Sequence, residues 1–119
     1  MSLFAVMRAA GPGWAPGGIF DQPAVDEHAA FMNALSDEGF LLFGGPLNGS
    51  ESGRVRVLLI ADAEHEAAIR ARLADDPWAA SDLLRVVSVE PWTIFVGATR
   101  IVTTPSNSVG APTAAAGAC

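Results

Sequence analysis

The run Gly39-Phe40-Leu41-Leu42-Phe43-Gly44-Gly45-Pro46-Leu47-Asn48-Gly49-Ser50-Glu51-Ser52-Gly53-Arg54-Val55-Arg56-Val57-Leu58-Leu59-Ile60 reads as a β-hairpin, and the fold follows from what flanks it. Phe40 to Phe43 is a short apolar run of the kind a buried strand requires, and Gly44-Gly45-Pro46 ends it in a tight turn. Leu47 to Gly53 is polar. From Arg54 onward the pattern alternates, with Val55, Val57 and Leu59 on one side and Arg54 and Arg56 on the other, the period of a half-buried strand. So short a connection makes the two strands antiparallel neighbours.

Upstream, Asp21-Gln22-Pro23 opens a helix, proline being suited to its first turn. Ala24, Val25, His28, Phe31, Met32 and Leu35 share one arc at helical spacing, Asp26, Asn33 and Asp37 lie opposite, and Gly39 ends the helix. Leu3 to Ala9 is a short apolar strand. The Gly11-Pro12-Gly13-Trp14-Ala15-Pro16-Gly17-Gly18 loop between them holds a tryptophan, which either covers a ligand or packs the loop onto the domain. Downstream, Asp62 is placed to cap a second helix, Ala63 to about Ala74, with Ile69 and Leu73 inward. Asp76 caps a third, Pro77 to Asp82, and Leu83 to Val96 is a last strand that Pro91 confines to an edge or a bulge. The order β-α-β-β-α-β is that of an α+β, ferredoxin-like sandwich, with four antiparallel strands and the helices on one face. Both faces of the first strand are apolar, Leu3, Ala5 and Met7 against Phe4 and Val6. The uncovered face therefore calls for a second copy, and a homodimer is expected. Residues 1–97 form the domain. Residues 98–119, rich in Ala, Thr, Pro and Gly with Arg100 as the one charge, read as a disordered tail.

The chain has 119 residues, with seven arginines, no lysine and thirteen carboxylates, for a formal charge of −6. Six of the arginines and all thirteen carboxylates fall in residues 1–97, so the domain alone carries −7. Such a surface suits neither nucleic-acid phosphates nor an anionic membrane. The one cysteine, Cys119, leaves no internal disulfide, and there is no CxxC, Cys/His cluster or HExxH, which argues against structural zinc. The N-terminal apolar run is too short for a signal peptide and no run approaches a membrane span, so a cytoplasmic protein is expected.

With no tyrosine, lysine or cysteine inside the domain, acid–base candidates reduce to histidine and carboxylates. His28 sits mid-arc on the first helix, where a plain core histidine would find a partner for each ring nitrogen. Asp76 is an N-cap by spacing. Both lie on the helix side of the proposed sheet, where a His–Asp pair would fix the imidazole tautomer as a general base requires. His65, between Glu64 and Glu66, reads as a solvated surface residue. Arg8, Arg54 and Arg56 would bind an anion only if their strand faces line a cavity. Gly44-Gly45-Pro46 lacks the spacing of a phosphate loop.

The set His28, Gly39-Phe40-Leu41-Leu42-Phe43-Gly44-Gly45-Pro46-Leu47, Asp76-Pro77-Trp78-Ala79-Ala80 and Val87-Ser88-Val89-Glu90-Pro91-Trp92 resembles the YCII-related (YciI-like) domain family over about Leu3 to Val96. The resemblance implies a dimeric α+β barrel of ferredoxin-like protomers, with His28 and Asp76 matching the family's proposed active-site pair. One branch of that family is similar to a dehydrochlorinase acting on chlorinated hydroxyquinols. Many members carry Arg-Pro just before the helix histidine, where this chain has Val25 and Asp26. Two functions follow as expectations. One is a cofactor-free lyase or isomerase on a small cyclic or aromatic substrate, with His28 and Asp76 catalytic and Trp14, Phe31, Trp78 and Trp92 as an apolar wall. The other is a non-catalytic dimeric module in which His28–Asp76 is a structural bond. An imidazole edge facing an open cavity would favour the first, a sealed histidine the second. His28 and Asp76 alone make an incomplete metal site.

Overall fold

Alternate residues of the first strand, β1 (Leu3–Ala10), are buried: Phe4, Val6 and Arg8 face inward while Leu3, Ala5 and Met7 are half-exposed. This period-two burial is that of a sheet covered on one side. A computed structural model describes residues 2–52 and 54–101 and gives the order β1, α1 (Val25–Asp37), β2 (Leu41–Pro46), β3 (Arg56–Asp62), α2 (Glu66–Leu73), α3 (Pro77–Ala80) and β4 (Leu84–Pro91). The strands form one antiparallel sheet in the order β2-β3-β1-β4. This is the ferredoxin-like α+β arrangement expected from the sequence. No helix among the described residues is long and apolar enough to cross a membrane.

The main core lies between the sheet and both long helices. Val6, Val57 and Leu59 from the strands meet Met32 and Leu35 of α1 and Ile69 and Leu73 of α2. Complete burial of each aliphatic side chain contributes roughly 1.5–3 kcal/mol. A second cluster, Ile19, Val55, Trp78, Leu83 and Leu84, lies under the loop that follows β1, with Trp14 packed against it. The glycine- and proline-rich loop is therefore held by its tryptophan. It is also held by the buried Gln22 amide, which bonds the Ala15 backbone on both sides, each at 2.8 Å.

Several boundaries differ from the sequence reading. The first helix starts at Val25, because Ala24 adopts a left-handed conformation (φ 59°) that no helix interior tolerates. Asp21 instead closes a short turn, accepting from the Gly18 N–H at 2.8 Å. Strand β2 continues through Gly44-Gly45-Pro46 instead of turning there. It is an edge strand, where proline's missing N–H deprives no neighbour of a bond. Gly44 is required by close approach: a Cβ there would stand 2.5 Å from Leu59 Cδ2. The second helix starts at Glu66, capped by His65, whose ring accepts from the Ala68 N–H, and Asp62 ends β3. Helix α3 stops at Ala80, and Asp82 beyond it is left-handed (φ 62°). β4 is an edge strand that ends at Pro91 rather than reaching Val96, and its pairing with β1 carries an irregularity between Met7 and Arg8. At the start of the expected tail, Ala98–Arg100 form one helical turn, and residues 102–119 lie outside the described residues.

Candidate active site

Three elements converge on one buried carboxylate. α1 contributes His28, inward on the arc that also buries Met32 and Leu35. β1 contributes Arg8, third in the Phe4, Val6, Arg8 set that faces the helices. The junction between α2 and α3 contributes Asp76, held in extended backbone by the following Pro77. All three side chains are essentially withdrawn from solvent, His28 and Asp76 at 0% exposure and Arg8 at 1%.

Asp76 fulfils both roles its spacing suggests. As the N-cap of α3 its Oδ1 accepts from the Trp78 N–H at 2.9 Å. The same carboxylate accepts from His28 Nδ1, 2.9 Å from each oxygen, and Oδ2 also accepts from Arg8 Nη1 at 2.9 Å. Burial pushes the Asp76 carboxyl upward. The hydrogen bond from His28, the Trp78 N–H and the charge of Arg8 together outweigh that and hold it below its ordinary value. Asp76 is thus a carboxylate at neutral pH, and a carboxylate only accepts. The proton between the two groups therefore sits on His28 Nδ1. His28 Nε2 is buried and has no hydrogen-bond partner, and neither has Arg8 Nε.

The rest of the setting is aromatic. The His28 ring stacks on the Trp78 indole with centroids 3.9 Å apart and planes 4° from parallel. Trp78 is anchored by its Nε1, which donates to the Pro23 carbonyl at 2.8 Å, and Trp14 meets it edge-on at 5.6 Å. Of the four proposed wall residues, Trp78 lies against the histidine and Trp14 lies behind Trp78. Phe31 packs against the main core. Trp92, 43% exposed, lines a groove of about 340 Å³ with Phe43, Leu58 and Ile60 on the open face of the sheet. His28 itself is sealed in this state, which is the geometry the sequence reading tied to a structural role. His65 is exposed at its helix cap, and Arg54 is exposed beside β3. No group of three or more His, Cys, Asp or Glu side chains that could hold a metal occurs among the described residues.

Arg8 is the member that the sequence alone presents as a generic anion binder. Its signal was present in the alternation, which places it in register with Phe4 and Val6 and hence under the helices, where a guanidinium needs a carboxylate.

Two comparisons bear on this arrangement. A solved structure of a 5-chloro-2-hydroxyhydroquinone dehydrochlorinase from Burkholderia phenoliruptrix, in complex with 2,5-dihydroxybenzoquinone, superposes with a TM-score of 0.51 at 21% identity. The match covers 82% of this chain and 97% of that one, and it supports the fold. None of the curated proteins matches the chain. The sequence signature of the YCII-related domain matches residues 5–93, a span that contains Arg8, His28 and Asp76, and the chain belongs to the YCII-related domain family.

Proposed function

We propose that the protein is a cofactor-free lyase or isomerase of small cyclic or aromatic molecules, with His28 as general base and Asp76 as the group that orients it. The observation that carries this reading is the unpartnered Nε2. Asp76 is fixed by Trp78 and Arg8, it fixes Nδ1–H, and the other ring nitrogen keeps a free lone pair. That is the form of an imidazole ready to take a proton. The dehydrochlorinase that shares the fold was solved with a dihydroxybenzoquinone, which supports a hydroxylated ring as the substrate class. In a loss of HCl, His28 Nε2 takes a proton from a ring O–H or C–H, the electron pair left behind is drawn into a new π bond, and the carbon–chlorine bond breaks with its pair leaving as chloride. Access to Nε2 requires the side chains that bury it, the stacked Trp78 among them, to move aside. Homodimerisation through the open sheet face, closing two sheets into a barrel, belongs to the same proposal, and the half-exposed Phe43 and Trp92 on that face support it.

The test is chloride release from a panel of chlorinated hydroquinones and hydroxyquinols. Turnover by the wild-type protein that disappears in His28→Ala, with the oligomeric state unchanged, supports the reading. Full activity in His28→Ala sinks it. A second reading, a non-catalytic binding or assembly module, is favoured by the complete burial of His28. It predicts that His28→Ala lowers the melting temperature and that no member of the panel binds near Trp78.

A further inference from the structure

The acid–base reading leaves one side chain of the cluster without a task. Arg8 stands 2.9 Å from Asp76 Oδ2 and is as buried as the pair itself, and it also lines a groove with Arg70, Asp82 and Arg85, of which Asp82 and Arg85 pair with each other. We infer that Arg8 is a positioning residue for the pair: its charge cancels that of Asp76, so that His28 is held as the neutral Nδ1–H imidazole with Nε2 bare. The inference deepens the acid–base reading and rests on it.

Few charges share this buried space. Among the described residues, the charged groups bonded to one another here are Arg8 from β1 and Asp76 from the start of α3, one positive and one negative. On α1 itself, Asp26 and Glu27 are exposed and point away. Trp78, on the face of the ring, is neutral. With Arg8 present the buried cluster is electrically balanced when His28 is neutral. A second proton would add a net charge to a region without solvent, and it would place an N–H on Nε2, where no acceptor waits. Remove Arg8 and the balance inverts. The buried carboxylate is then uncompensated, and the nearest group able to neutralise it is His28. An imidazolium there is an acid, not a base. A purely structural Arg8–Asp76 pair would tie β1 to α3 without this effect on the ring.

The measurement is direct, because the chain has two histidines and the second, His65, is exposed and serves as an internal reference. Long-range proton–nitrogen correlation spectra of the imidazoles at pH 7 distinguish neutral from charged rings and one tautomer from the other. The expected results are a neutral Nδ1–H ring for His28 in the wild type, an imidazolium in Arg8→Met and a neutral ring again in Arg8→Lys. A charged His28 in the wild type overturns the inference without any variant, so a failure of Arg8→Met to fold does not shelter it. A neutral His28 in folded Arg8→Met, or a charged one in folded Arg8→Lys, overturns it as well. Failure of the acid–base reading shows elsewhere, as retained turnover in His28→Ala, and the spectra answer for Arg8 whichever way that assay falls.

Discussion

The two faces of β1 carry side chains of similar greasiness and quite different fates. Phe4 and Val6 lie under α1 and α2, and the next residue in that series is the buried guanidinium of Arg8. Leu3, Ala5 and Met7 look the other way and stay half-exposed, beside Phe43 at 52% exposure. The covered face thus holds a charge where apolar residues would have sufficed for packing. On β1 the open face is apolar where a solvent-facing strand would usually alternate to polar, although Ser88 and Glu90 of β4 pair opposite Met7 and Ala5. A buried ion pair is weak evidence for stability, since apolar residues of equal volume often replace one at no cost. Its presence under the helices therefore points to a task for the charge, and the apolar open face points to a partner for the surface.

The comparison breaks first at Arg8. Removing one partner of a buried pair leaves the other uncompensated, so Arg8→Met should cost about 3–5 kcal/mol in urea unfolding. Arg70→Gln, which breaks an exposed pair with Glu66 on α2, should cost under about 0.5 kcal/mol. Equal effects would mean that the covered face treats its charge no differently from the surface. The same cluster sets the acid limit of stability. The Asp76 carboxyl is held below its ordinary value of 3.8 in the folded protein, so its contribution is present above that pH. It is lost as pH falls through the lower folded value. Stability should therefore drop below about pH 4, and Asp76→Asn should flatten that part of the profile. An unchanged acid limb in a folded Asp76→Asn protein would show that the carboxyl titrates alike in both states.

The edge of the covered face gives a smaller, sharper test. Gly44 lies against Leu59, and an added Cβ would also stand 2.9 Å from the Leu58 carbonyl. Backbone is the neighbour that cannot yield, so Gly44→Ala should cost about 1–3 kcal/mol by overpacking. Gly45, with open space at its Cβ position, should accept alanine within about 0.5 kcal/mol. A reversal of that order would mean that β2 does not run straight through these glycines.

Much of the layering is legible in the residue pattern alone. The period of two through Arg54–Leu59 and the helical arc through His28, Met32 and Leu35 match burial, while Ile60, on the other side of the strand, is buried as well. What the sequence conceals is local or long-range. Gly44-Gly45-Pro46 has turn composition, yet at a sheet edge the same residues fit a strand. Ala24 carries no mark of its left-handed backbone, so the first helix looks two residues too long at its start. His28 and Asp76 are each visible, but their meeting depends on packing across 48 positions. Arg8 is hidden by habit, since an arginine ending an apolar strand reads as its solvated end. Trp92, adjacent to a proline in the chain, offers no hint that it lines a groove on the open face.

The open face closes the series, because its effect on the isolated fold should be the smallest. Phe43 on edge strand β2 is half-exposed in a single copy, so Phe43→Asp removes little that the protomer itself buries, and urea unfolding at low protein concentration should move by under about 0.5 kcal/mol. In a dimer closed through this face, the same substitution places a carboxylate beside Leu58 and Ile60 in a groove the second copy covers. There the charge loses its solvent, and association should weaken steeply. Sedimentation at rising concentration separates the two cases. A wild-type dimer that becomes a monomer in Phe43→Asp, with unchanged imidazole spectra, assigns the open face to assembly and the covered face to His28. A dimer that survives the substitution places the contact elsewhere and leaves the apolar face without a partner.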